Sequence, residues 1–300
     1  MEKINSIGII GTGKSAAALL KHFKINNVKI AGLWGRNTEK SSNLGGIFEV
    51  NSFISKSELI DASEIIILAV NDDSIRELSD QIASESGKTL SGKTFIHLSG
   101  ALSSSEMDSL GELGSDILSA HIIQSLAGVS ASASASDLHP SDIPSDILDE
   151  VWFSLEGDMT AISTFKEVLD FCKNPSFVIS KENKPLYHAA MCVISNYLVT
   201  LLNAGFKMLE ATGLDIGQAY KVTLPLINGT LKNIEELGTI DALTGPIARG
   251  DVLTVEKHLS AIRNLCPDVL PLYRSMGMET LKLSKNENDK IKKILEQQTL

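Results

Sequence analysis

Gly11-Thr12-Gly13-Lys14-Ser15-Ala16 has the residue types and spacing to hold an anion. It follows a short apolar run at residues 4–10, opens a helix-like stretch at residues 14–24, and fits G-x-G-x-x-G/A. Gly11 permits a tight turn, and Gly13 lets the backbone approach a pyrophosphate. Ala16 lets helix and strand pack closely, while the helix N-terminus offers unpaired N–H groups. Thr12, Lys14 and Ser15 share that turn. The same residues also fit a P-loop, Gly8 followed by Gly13-Lys14-Ser15, with Asp72 suited to a magnesium ligand. That alternative needs Ile9 and Ile10 to leave an apolar strand and wrap a phosphate, so the dinucleotide turn is favoured.

Other polar residues stand at the C-terminal ends of strand-like runs, where parallel sheets place their ligands. A second run, residues 28–34, ends in Gly35-Arg36-Asn37. An acidic residue there would bind the ribose of NAD, whereas the planar fork of Arg36, with Asn37 and Thr38 beside it, suits the 2′-phosphate of NADP. NADP is therefore expected, with NAD as the alternative. Val70, Asn71, Asp72 and Asp73 close the next run, Ser99 and Gly100 another, and His121, Gln124 and Ser125 a further one. In the second half, Lys184, His188, Met191 and Ser195 fall within about 60° on one helix face, with Asn196 roughly 80° round from His188. A reductase needs a proton donor near its substrate, for which Lys184 and His188 are the candidates, with Ser99 to orient the substrate. Residues 242–251 form a turn presenting Thr244 and Arg249; Arg249 could hold a substrate carboxylate or pair with Asp251, the expected N-cap of the next helix. No G-x-S-x-G elbow, H-x-x-H pair or Cys/His cluster occurs, so neither a serine hydrolase nor a catalytic metal is expected.

The elements that must position these residues fall into two classes. Strand-like runs at 4–10, 28–34, 65–70 and 94–98 alternate with helix-like stretches, which implies βαβ units and a parallel sheet. The uniformly apolar run 65–70 belongs at the centre of that sheet, covered on both faces. Residues 125–145, rich in Ser and Ala, read as a loop, followed by strands at 151–155 and 177–179 that bracket a helix. Beyond 180 the pattern is helical. A long helix runs from Pro185 to about Ala211 and stops at Gly213; further helices cover 215–237, 252–265 and 267–283. The expected architecture is a Rossmann-type, mostly parallel α/β domain at 1–180 and an all-α domain at 181–300.

Composition bounds the function. With 27 Lys+Arg against 37 Asp+Glu, the net charge of −10 argues against nucleic-acid binding. Three dispersed cysteines suggest neither a disulfide framework nor a zinc site. The start lacks a signal-peptide pattern, and no apolar run is long enough to span a bilayer, so a soluble cytoplasmic protein without a membrane partner is expected. An apolar helical half also suggests a homodimer.

Four segments together resemble a known group: residues 11–16; His97-Leu98-Ser99-Gly100-Ala101-Leu102; Leu186-Tyr187-His188-Ala189-Ala190 with Ser195-Asn196-Tyr197; and residues 242–251 with Thr254-Val255 and His258-Leu259. The chain is similar to oxidoreductases that join an N-terminal Rossmann domain to a C-terminal helical domain of unknown function. These are distant relatives of pyrroline-5-carboxylate reductase, ketopantoate reductase and the coenzyme F420-dependent NADP oxidoreductases. The resemblance covers essentially the whole chain and implies an NADP-binding domain, a helical domain for dimerisation and substrate, and a cleft between them. It departs at Ile122, where such proteins usually carry proline after the residue matching His121. The expected activity is hydride transfer to a small carbonyl or imine substrate, with Ser195, Asn196, Thr244, Arg249 and His121 contacting it. A non-catalytic NADP-binding sensor or interaction protein is the alternative, and a P-loop hydrolase the third reading.

Overall fold

A computed structural model describes residues 6–86, 89–127, 129, 143–284 and 288–297. The chain divides into two compact units, Met1–Cys192 and Val193–Leu300. The first alternates strands and helices: β1 (Ile7–Ile10), α1 (Lys14–Ile25), β2 (Ile30–Trp34), α2 (Thr38–Phe48), α3 (Lys56–Ala62), β3 (Ile65–Leu68), α4 (Ile75–Ser86), β4 (Thr94–His97), α5 (Asp108–Gly111) and β5 (Asp116–Ile122). It continues with β6 (Phe153–Gly157), α6 (Met159–Phe171), β7 (Ser176–Val178) and α7 (Lys184–Ile194).

The strands form one sheet in the order β2-β1-β3-β4-β5-β6-β7, parallel from β2 to β5 and reversed at the β5–β6 pairing. The mostly parallel Rossmann-type sheet expected from the sequence is thus present. Side chains alternate across a strand, so Ile65 and Ile67 enter the core beneath α1 and α6, while Ile66 and Leu68 enter the core on the opposite face. Both faces are covered, which is why this run is apolar at every position. Chain order reverses about β1, with β2 on one side and β3 on the other. Open parallel sheets hold their ligands at such a reversal, beyond the carboxyl ends of the strands.

The second unit holds α8 (Asn196–Ala211), α9 (Ile216–Asp241), α10 (Pro246–Arg249), α11 (Val252–Leu265), α12 (Leu270–Leu283) and α13 (Asp289–Glu296). Its core joins Ile247, Val255, Leu259, Leu281, Ile291 and Leu295. No residue of α8 is buried, and only Ala219 of α9 is. Taken together, residues 181–211 are long and apolar enough to cross a membrane by length and composition.

Several boundaries differ from the sequence reading. The single helix expected from Pro185 to Ala211 breaks at Ser195, whose φ −102° and ψ −66° separate α7 from α8. Ser195 and Asn196 both compete for backbone hydrogen bonds and are weak helix formers, which localises the break there. Helix α9 runs past the expected end at Leu237 and kinks at Gly238 (φ 75°) before stopping at Asp241. The turn at 242–251 contains the short α10, and the segment from Pro267 begins as a 3-10 turn. Helix α13 had no counterpart in the sequence reading. Within the Ser/Ala loop, residues 128 and 130–142, including His139, lie outside the described residues.

Candidate functional site

The turn after β1 has the shape its glycines imply. Gly11 sits at φ +132°, and a Cβ there would lie 2.1 Å from the Ala69 carbonyl oxygen, so the turn is closed to any side chain. Gly13 precedes α1, has no side-chain cap, and has nothing within 4 Å of the position a Cβ would take. The first N–H groups of α1 therefore face open space. Ala16 is fully buried, which permits close packing of α1 on the sheet. This turn forms one wall of a cleft of about 330 Å³. Its rim includes Thr12, Arg36, Asn37 and Lys40 on one side and Val70 and Asn71 on the other. The glycine turn and the cationic side chains of Arg36 and Lys40 at this rim suit the phosphates of a nucleotide. Lys40, in the first turn of α2, is the rim residue the sequence reading missed. Asn37 also caps α2, accepting from the Lys40 N–H at 2.9 Å. The Lys14 ammonium donates to the Ala127 carbonyl at 3.2 Å.

The P-loop alternative fails on register. Gly8, Ile9 and Ile10 each pair with β2 on one side and β3 on the other, so no phosphate-wrapping loop starts at Gly8.

A second cluster gathers at the carboxyl ends of β3, β4 and β5, against the first turns of α7. Lys184, only 1% exposed, donates to Ser119 Oγ at 2.5 Å and to the Ser99 carbonyl at 3.2 Å. Burial lowers its pKa from 10.5 to about 8, against the opposing pull of Glu156 and Asp72. The Ser99 hydroxyl donates to Asp72 Oδ2 at 2.7 Å and accepts from the N–H groups of Ala101 and Leu102, fixing the turn after β4. His97, buried under this turn, accepts from the Ser99 N–H at Nδ1 and hydrogen-bonds the Ser103 carbonyl through Nε2. Burial lowers its pKa, and both contacts suit a neutral ring with its proton on Nε2.

Ser119 and His121, two residues apart on β5, share the face toward α7, while Ala120 and Ile122 enter the core on the other face. His121 Nδ1 lies 2.7 Å from the Tyr187 hydroxyl, and its ring stands edge-on to that of His188, with centroids 6.3 Å apart. Burial, helped by Lys184 and His188, lowers the His121 pKa to about 4, against an opposing pull from Asp72. His188 also has Cys192 Sγ at 4.0 Å from its ring nitrogens.

The structure therefore brings Lys184, His188, Ser99, Gly100 and His121 together and adds Asp72, Ser119 and Tyr187. Nothing in the sequence marked Ser119, because a lone serine in a strand carries no motif. Ser195 stands apart from the expected helical stripe, since α7 ends at Ile194. Ser195, Asn196, Thr244 and Arg249 belong to the second unit and are exposed. Asp251 caps α11 as expected, accepting from the Thr254 N–H at 3.1 Å and hydroxyl at 2.6 Å, and no ion pair joins it to Arg249 among the described residues.

Comparison with known proteins agrees with this geometry. Residues 6–97, from β1 through β4, match the family model described as NADP oxidoreductase, coenzyme F420-dependent. That part of the first unit is thus similar to an NADP oxidoreductase domain. Residues 151–280, from β6 of the first unit into the helices of the second, match a domain of unknown function, DUF2520. Among curated proteins, none matches by sequence. Solved structures share the fold. A Thermotoga maritima protein is 22% identical, with 93% of this chain and 98% of that one covered and a TM-score of 0.68. A Bacteroides fragilis protein assigned as an NADP oxidoreductase is 19% identical, with 93% and 98% covered and a TM-score of 0.69. A reductive aminase from Aspergillus terreus, in complex with NADPH4, cyclohexanone and allyl amine, is 14% identical, with 97% and 99% covered and a TM-score of 0.64.

Proposed function

We propose that this chain reduces a small carbonyl or imine compound with NADPH, and that Lys184 supplies the proton. The turn from Gly11 to Ser15 binds the diphosphate, Arg36 with Lys40 binds the 2′-phosphate, and Val70, Asn71, Ser99 and Gly100 line the way to the strand ends. NADPH supplies a hydride when bound. Lys184 Nζ–H⁺ gives its proton to the oxygen or nitrogen that gains electron density, leaving a neutral amine. Burial favours that neutral form, which is the reason a lysine serves as an acid here near neutral pH. Ser99 and Ser119 hold the ammonium in place, and His188 is the second candidate donor.

The observation that carries this reading is the buried Lys184, fixed between two strand ends at the carboxyl edge of the sheet. The ketone and amine bound by the Aspergillus terreus enzyme support a carbonyl or imine substrate. The test has two stages. Thermal shifts with NADPH, NADH and ATP should show the largest stabilisation by NADPH. NADPH oxidation is then followed across ketone–amine pairs and keto acids, where Lys184→Met should lower kcat about 10²–10⁴-fold while leaving the NADPH shift intact. Tight NADPH binding with no oxidation by any compound would instead favour the non-catalytic sensor.

The protein is proposed to be a soluble, cytoplasmic homodimer, a second copy covering the apolar faces of α8 and α9. Val199 at 67% and Leu226 at 71% exposure represent those faces. Sedimentation without detergent at twice 32.3 kDa is the expected result; recovery only in the membrane fraction would overturn it.

A further inference from the structure

His121 and Tyr187 form a pair whose hydrogen-bonding direction can be derived. A phenol is a stronger acid than a neutral imidazole N–H, so across the 2.7 Å contact the Tyr187 hydroxyl donates and His121 Nδ1 accepts. The ring proton then resides on Nε2, and no partner for that N–H occurs among the described residues. The ring edge that carries it lies against Gly100. A Cβ on Gly100 would lie 2.8 Å from His121 Nε2 and 2.9 Å from His188 Cδ2. Two imidazole edges thus converge over a glycine at the end of β4, in the room its missing side chain leaves.

We infer that Tyr187 is a positioning residue that locks His121 as the Nε2–H tautomer, and that this N–H is a fixed neutral donor to a lone pair on the substrate. This rests on the reductase reading above and deepens it. The groups facing His121 are Lys184, His188 and Asp72, and their balance with burial keeps the ring uncharged at neutral pH. The pair holds its proton and does not deliver it. Losing the Nε2 proton would require Tyr187 to give up its own to Nδ1, and burial raises the Tyr187 pKa. Proton delivery therefore stays with Lys184, and His121 governs how the substrate is seated.

The test uses the full-length protein labelled with ¹⁵N-histidine. Long-range ¹H–¹⁵N spectra should show His121 as a single Nε2–H tautomer, uncharged from pH 8 down to about 5. In Tyr187→Phe the tautomers should mix, while burial beside Lys184 and His188 still keeps the ring uncharged over the same pH range. In the kinetic arm, with cyclohexanone and allyl amine as probes, Tyr187→Phe and His121→Phe should raise KM about tenfold with kcat within about threefold, unlike Lys184→Met. A Nδ1–H tautomer or a charged ring at pH 7 overturns the inference, as does a KM unchanged in both variants. If the wild type oxidises no NADPH with any ketone–amine pair, the reductase reading fails, and with it the substrate contact, whatever the tautomer spectra show.

Discussion

The two units solve the burial problem differently. In the first, β1 and β3 are buried at every residue, and helices cover both faces of the sheet. In the second, no residue of α8 is buried and the 26-residue α9 buries one alanine, although α8 carries four leucines and α9 four leucines and four isoleucines. Helical stability comes mainly from packing an apolar face, and α8 packs Ala204 and Met208 against Ile262, Cys266 and Val269 while its N-terminal half stays largely exposed. The first unit therefore holds its own core and buries Lys184 within it, whereas the second leaves apolar side chains such as Val199 and Leu226 exposed.

That contrast can be broken at its weakest point. Placing charge on the exposed faces, with Val199→Glu and Leu226→Glu together, should abolish the proposed homodimer; size-exclusion chromatography at micromolar concentration is the check, and an unchanged elution volume would remove the contrast. The matching change in the self-sufficient unit is Phe95→Ala, which empties a fully buried site beneath β4. It should cost about 3–5 kcal/mol in urea unfolding without altering oligomeric state.

The buried polar cluster gives a pH signature confined to the first unit. His121 is held at about 4 in the fold against an ordinary 6.5, so the unfolded chain binds more protons throughout that window. Stability should fall as pH drops from 6.5 through 4 and level off below. His121→Phe should flatten this slope by about 2–3 kcal/mol, read from urea midpoints at pH 7 and pH 4. Lys184 has the same sign at higher pH: its lowered pKa makes stability rise between about 8 and 10.5, while the proposed acid role makes kcat fall above about 8.

Smaller effects sharpen the picture. Arg36→Ala should weaken NADPH binding by about 1.5–3 kcal/mol and leave NADH nearly unchanged, as titration calorimetry can show. In the helical unit, Asp251→Ala removes the cap of α11 and should cost about 1 kcal/mol.

Much of this molecule was legible in its residues. The spacing of Gly11, Gly13 and Ala16 after an apolar run gave the turn, and Arg36 at the end of the next strand gave the cationic rim, because both depend on local backbone chemistry. The position of Lys184 at a helix start was equally plain. Its burial was not, since an amphipathic reading allows an exposed lysine in a first turn. Ser119 went unmarked and Tyr187 was given no role for a related reason: each matters only through a neighbour 65 or 66 residues away in the chain.

The sequence by itself determined the class of each half, the glycine turn after β1 and the strand-by-strand apolar pattern, because these follow from residue type and short-range spacing. Only the tertiary structure decided that Ser99, Ser119, His121 and Lys184 meet, that the helix breaks at Ser195, and which imidazole edge rests on Gly100. Those outcomes depend on strand order and register, which bring distant residues within hydrogen-bonding reach and exclude the water that would otherwise hold their charges at ordinary pKa values.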